Sequence, residues 1–220
     1  MYIGPLALNK KNLPLIDNVV INLEKPIYHL WGKNGVGKST LIKLILADCI
    51  EKKIRFAFMD QNYRTSWLWW MKIEENLDLI TGNIHSGKKF IELDIYNRQQ
   101  SWIKPLLSKI VAQYDFSKGN EIQSAGVSGG QLQRLIFLRE LIAKPEIVLL
   151  DEAFSALDIE VVEDVISWLL EEQKRLDFKI VNICHDKRII ELMKGKVIVL
   201  DTEGTPKKLT LTEMSYEEMV

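Results

Sequence analysis

The 220-residue sequence predicts an α/β fold, a parallel sheet flanked by helices with a mostly helical lobe inserted into it. Three observations carry that expectation. Apolar strand patterns alternate with helical ones over most of the chain. A glycine-rich loop, Gly32 to Thr40, lies between a strand pattern and a helix pattern. The run Ile147-Val148-Leu149-Leu150 has the uninterrupted apolar character of a strand buried on both faces.

Taken in order, Val19 to Leu23 alternates apolar with polar residues as a half-buried strand does, and Pro26 breaks it. Ile27 to Trp31 is a short apolar strand that runs into the loop. Thr40 to Ile50 then carries Leu41, Leu44, Ile45 and Ala47 near helical spacing, and Ile54 to Met59 is a second core strand ending at Asp60-Gln61. From Asn62 to about Val127 strand patterns vanish. There Pro105 suits a first helical position, with Leu106, Leu107, Ile110, Val111 and Tyr114 on one face of the predicted helix and Gly119 as its stop. The expected lobe is therefore 62–127, inserted in one domain spanning 1–220. The core resumes at Ser128 with a helix over Gln131–Ala143, then the Ile147–Leu150 strand and a long helix over Ile159–Arg175. Lys179–Cys184 is a strand, a short helix reaches Met193, and Lys196–Leu200 and Lys208–Leu211 close the sheet.

A formal net charge of −1 offers no basic surplus, so nucleic acid is not an expected partner. Cys49 and Cys184, the two cysteines, sit in apolar surroundings without paired spacing and are expected as buried thiols of a reducing compartment. Met1 to Lys10 lacks the basic start and apolar stretch of a signal peptide, and no apolar run approaches the ~20 residues that span a bilayer. The expectation is a cytoplasmic chain with no direct membrane insertion, any membrane role coming through a partner.

Gly32-Lys33-Asn34-Gly35-Val36-Gly37-Lys38-Ser39-Thr40 satisfies the P-loop pattern in its required strand–loop–helix setting. Glycines let successive backbone N–H groups turn toward phosphate oxygens, and the following helix N-terminus adds the positive end of a dipole. Lys38 is placed to reach β- and γ-phosphates and Ser39 to offer its hydroxyl to Mg²⁺. Asp151 and Glu152 end an apolar strand. Alone such a pair is equally well a solvated strand end; beside a P-loop, Asp151 can hold the Mg²⁺ shell and Glu152 can polarise water. Val127-Ser128-Gly129-Gly130-Gln131 opens a helix, either as an ordinary capped glycine turn or as a second anion-receptive terminus. His29 and His85 have no such context and read as structural.

The ordered set resembles the ATP-binding cassette (ABC) ATPases over essentially the whole chain: the P-loop at 32–40, Gln61 after a strand, Val127 to Gln131, Asp151-Glu152, Ser155-Ala156-Leu157-Asp158, and His185 after a strand. The resemblance implies a P-loop NTPase core that binds ATP and Mg²⁺ and hydrolyses ATP. It also implies a head-to-tail homodimer in which the P-loop of one copy grips the phosphates while Ser128 and Gly130, with Gln131, cap them from the other. Glu152 is then the general base, Gln61 contacts Mg²⁺ and the water, His185 holds the γ-phosphate and base together, and Asp158 links the two copies.

Two departures from the family's pattern stand out. The aromatic residue that stacks on adenine is missing, since Asn9, Lys10 and Lys11 occupy its place and Tyr2 lies far upstream; Lys10 over the ring is one substitute. The stretch from Thr40 to Gln61 is short, which implies a reduced antiparallel β region.

Trp67, Trp69 and Trp70 follow Gln61 closely. They are either packing inside the lobe or an interface cleft for a helix of a membrane subunit. The expected machine is the ATP-hydrolysing subunit of an ABC transporter, peripheral on the cytoplasmic face and bound to a separate transmembrane permease. The alternative is a soluble ABC-type ATPase of DNA repair, ribosome work or regulation. The long coiled-coil insertions and double cassettes usual in those proteins are not in this sequence.

Overall fold

The computed structural model describes residues 1–8, 16–60, 67–115, 121–124, 127–155, 159–203, 208–215 and 218. Contacts gather the chain into two units, Met1–Gln61 with Pro145–Val220, and Asn62–Lys144.

The first unit is built on a six-stranded sheet. Its strands are β3 (Ile27–Trp31), β4 (Phe56–Met59), β7 (Ile147–Asp151), β8 (Lys179–Ile183), β9 (Lys196–Glu203) and β10 (Lys208–Ser215), in the order β10-β9-β3-β8-β7-β4. All neighbours are parallel except β10, which returns antiparallel along β9. Parallel strands need both faces covered, and the sequence supplies this. Ile147, Leu149, Val181 and Ile183 share one core with α1 (Lys38–Glu51), while Val148, Leu150 and Ile180, pointing to the other face, are just as buried. The long helix α5 (Ile159–Leu176) buries Val162, Val165, Ile166 and Leu169 at three- and four-residue spacing and packs on α6 (Lys187–Met193).

Two elements here differ from the sequence reading. The face that α1 buries is Leu41, Ile42, Ile45 and Cys49, whereas Leu44 is half-buried and Ala47 exposed. A strand the sequence did not announce, β1 (Tyr2–Leu8), pairs antiparallel with β2 (Ile16–Asn22) and adds Ile3 and Leu6 to the same core. The start of β1 is fastened to the C-terminal end of α1. Gly4 donates its N–H to Asp48 Oδ2 at 3.1 Å, and Lys52 Nζ donates to the Gly4 carbonyl at 2.7 Å. The small antiparallel region consists of β1 and β2.

The second unit holds α2 (Ile73–Ile84), α3 (Asp94–Ile103), the hairpin of β5 (Ala112–Asp115) and β6 (Glu121–Ser124), and α4 (Gly129–Leu141). It runs to Lys144, past the expected 127, because α4 packs with the lobe. The hairpin is a strand pair that the sequence pattern did not announce within the mostly helical lobe. The helix expected from Pro105 is absent for a definable reason. The Leu107 and Lys109 carbonyls accept from the N–H groups of Glu74 and Ile73, so this segment caps α2 instead of continuing its own ladder. Leu106, Leu107 and Val111 are buried nonetheless. Asn76 clamps the loop before α2, accepting from Leu68 N at 3.1 Å and donating to Leu68 O at 2.9 Å. That loop seats Trp67 in the core beneath the Arg139 guanidinium, 5.7 Å from its ring, and leaves Trp70 73% exposed. His85 bonds the Ile142 carbonyl at 2.8 Å.

His29 is wholly buried in the central strand. A carbonyl can only accept, so Nε2 carries the proton that bonds Lys194 O at 2.8 Å, and Nδ1 faces the Asn182 amide at 3.2 Å. Burial, partly opposed by the Lys194 bond, holds its pKa down from 6.5 to about 4. The folded chain therefore refuses a proton that the unfolded chain accepts. The stability this confers is complete above the unfolded value and drains away as pH falls toward 4, by up to about 3 kcal/mol. Urea denaturation followed from pH 7 to 4.5 should show this loss, with a shallower slope in His29→Gln.

Candidate functional site

Where β3 turns into α1, the chain folds back tightly. A Cβ on Gly32 would lie 2.6 Å from the Leu200 carbonyl oxygen, so only glycine permits this approach of loop to sheet. Gly37, the N-cap of α1, adopts φ +112, a conformation L side chains rarely reach. Between them Val36 is buried while Lys33, Asn34 and Gly35 stay exposed, which turns the loop's polar backbone outward. The first turn of α1 contains no acidic side chain, so its free N–H groups and dipole favour an anion.

Lys38 laces this loop, its Nζ donating to the Gly32 carbonyl at 2.8 Å and to the Lys33 carbonyl at 3.1 Å. Burial lowers its pKa, and the charges of Glu152 and Asp151 pull the other way. Ser39 Oγ donates to Asp151 Oδ1 at 3.1 Å. Burial raises the Asp151 pKa, the Ser39 bond opposes the rise and the Glu152 charge adds to it. This carboxylate stands beside a hydroxyl, and hard oxygen donors of this kind suit Mg²⁺.

Glu152 leaves β7 in the left-handed region, φ 55, with its N–H bonded to the Ile183 carbonyl at 3.1 Å. That turn carries its carboxylate to within 3.4 Å of His185 Nε2, beyond the end of β8. A cleft of about 410 Å³ opens between the loop and these two side chains, with Lys38, Ser39 and Thr40 on its walls. The predicted loop residues, Asp151, Glu152 and His185 are thus brought together at the ends of β3, β7 and β8. Open parallel sheets place ligands at this carboxyl edge.

Ser128 is the N-cap of α4 in the second unit. Its Oγ accepts from Gln131 N at 3.2 Å, and Gln131 Oε1 accepts from Ser128 N at 3.0 Å; Gly130 follows in the first turn, buried. Gln61 and Asp158 lie outside the described residues, as do Asn9, Lys10 and Lys11. Tyr2 does not line the cleft; Gly4, two residues on, bonds Asp48, about 13 Å along α1 from Ser39. Sequence reasoning passed over Trp31, whose ring lies 6.3 Å from that of His185. Its position directly before Gly32 was the one available signal.

The chain matches the ABC transporter family model over residues 17–155. It is 26% identical to the methionine import ATP-binding protein MetN 2 of Oceanobacillus iheyensis, covering 97% of this chain and 68% of that protein. It is also 26% identical to the zinc import ATP-binding protein ZnuC of Rickettsia bellii, covering 89% of this chain and 82% of that one. The chain spans about two thirds of the length of the methionine import relatives it matches first. The structure of cbiO1 from Clostridium perfringens, part of the ABC transporter complex cbiONQ, superimposes with a TM-score of 0.66 at 20% identity, over 99% of this chain and 89% of that one. At that identity the likeness concerns the fold.

Gly37→Ala meets open space, so its cost is backbone strain alone, about 1–2 kcal/mol. Gly32→Ala adds a collision with the Leu200 carbonyl and should lose distinctly more. Urea midpoints of the two variants check the order.

Proposed function

The chain belongs to the ABC transporter family, and on that premise we propose that it hydrolyses ATP as a head-to-tail homodimer and drives a separate transmembrane permease. The observation that carries the hydrolytic part is the meeting of Lys38, Ser39, Glu152 and His185 around one cleft, with Asp151 bonded to the Ser39 hydroxyl.

In this reading the loop N–H groups from Gly32 to Thr40 embrace the β- and γ-phosphates. Lys38 exchanges its two carbonyl partners for phosphate oxygens. Mg²⁺ arriving with the nucleotide would offset phosphate charge, and Ser39, Asp151 and Gln61 are the residues to hold it. Glu152 accepts a proton from the attacking water, and His185, beside its carboxylate, holds the base and the γ-phosphate in register. From the second copy come Ser128, Gly130, Gln131 and Asp158. The Ser128 hydroxyl accepts a bond as N-cap and still has its proton to donate to a phosphate oxygen. Loss of the γ-phosphate removes that bridge and lets the pair open.

Coupling to a permease rests on the import roles named for the relatives and on Trp70, a large exposed aromatic just beyond the Gln61 segment. Those roles, methionine and zinc import, differ, which leaves cargo choice to the membrane subunit. Among the described residues no helix is long and apolar enough to cross a membrane. A peripheral seat on the cytoplasmic face fits a chain that reaches the bilayer through its partner.

Glu152→Gln should lower ATP turnover by about 10²-fold or more while ATP affinity persists. An undiminished rate would remove Glu152 as the base. Trp70→Ala should reduce co-purification with the membrane subunit and leave the melting temperature unchanged; retained capture would place docking elsewhere.

A further inference from the structure

We propose that Trp31 is a positioning residue for the hydrolytic reaction, an indole wall that keeps the His185 imidazole turned toward Glu152. The inference rests on the assignment of Glu152 and His185 to ATP hydrolysis.

Sheet order creates the contact. Strands β3 and β8 are parallel neighbours whose last register pair is Leu30 with Ile183. Trp31 is the next residue on β3, and His185 lies two residues beyond Ile183. Their rings stand 6.3 Å apart, tilted by 56°, within the separation at which aromatic pairs attract. On the next strand over, Glu152 Oε1 approaches His185 Nε2 at 3.4 Å. Trp31, His185 and Glu152 therefore follow one another across the ends of three adjacent strands.

Without a neighbour, His185 would be free to rotate. Its side chain is 42% exposed, and a half-exposed imidazole has several staggered rotamers open to it. The backbone beneath is already fixed, since Cys184 Sγ accepts from Asp186 N at 3.3 Å. What remains is side-chain rotation, and an indole beside the ring removes the rotamers that swing it away from the carboxylate. The backbone that carries Trp31 is held on both sides. It is paired with Val199 of β9, and Gly32 after it lies close to the Leu200 carbonyl. Trp31 is absent from the lining of the cleft, so its influence passes through His185 and not through the nucleotide.

The test is steady-state ATP turnover by the full chain carrying Trp31→Leu, Trp31→Phe, His185→Ala, or Trp31→Leu with His185→Ala. Aromatic pairs of this kind predict a 3- to 10-fold fall in kcat for Trp31→Leu, roughly, with KM for ATP nearly unchanged. Trp31→Phe should recover most of the rate, and Trp31→Leu should have no further effect once His185 is gone. An unchanged kcat, a loss confined to KM, or an equal loss on the His185→Ala background each overturns the proposal. Proton NMR of the unsubstituted chain supplies a readout that does not depend on a variant folding. The His185 ring protons, assigned by their disappearance in His185→Ala, should show an indole ring-current shift, and unshifted positions overturn the contact. Lack of turnover in the unsubstituted chain would instead sink the hydrolytic reading, and this inference with it.

Discussion

The site depends on one constraint, the closeness with which the chain folds back as it leaves β3. Gly32 sits against the Leu200 carbonyl with no room for a side chain, and Gly37 turns into α1 through a backbone conformation that disfavours L side chains. Just past the second, Lys38 reaches back to two loop carbonyls. The loop is thus held by contacts of its own chain, and in the proposed reading its donors would need little reorganisation to take phosphate in place of those carbonyls. The sheet and α1 serve, in this sense, to hold the loop's peptide groups in an arc.

The acidic side of the cleft follows from strand order. In a parallel sheet every carboxyl end lies along the same edge, so residues far apart in sequence meet without any loop having to reach across. Asp151, half-buried and bonded to Ser39, faces the loop, while Glu152 leaves the strand through a left-handed backbone and approaches His185. Two adjacent carboxylates receive different surroundings from a single dihedral change. The proposed roles, one acid for the metal shell and one for water, call for such a division.

Much of this was legible in the sequence because the information is local. Gly32 to Thr40 carries its spacing, its glycines and its flanking elements within a few residues, and Ile147 to Glu152 states a buried strand and its acidic end in six. The illegible parts depend on partners far along the chain. Strand β1 contains Gly4-Pro5 and pairs with β2 through irregular register, so neither alternation nor propensity marks it. The segment after Pro105 has a helical apolar pattern, yet its carbonyls are claimed by the free N–H groups of α2, a tertiary demand that local periodicity cannot express. The three tryptophans could not be sorted until the Asn76 clamp fixed which one turned inward. Trp31 and His185 meet only because β8 lies beside β3.

The left-handed turn at Glu152 has a consequence for how this protein can change. Glycine or asparagine would relax that peptide, and selection for robustness alone would drift toward them. Either replacement deletes the carboxylate. On the proposed assignment of Glu152 as the base, endurance and chemistry pull in opposite directions at this residue, so a lineage that stopped hydrolysing nucleotide would be expected to show its first gains in thermal tolerance there.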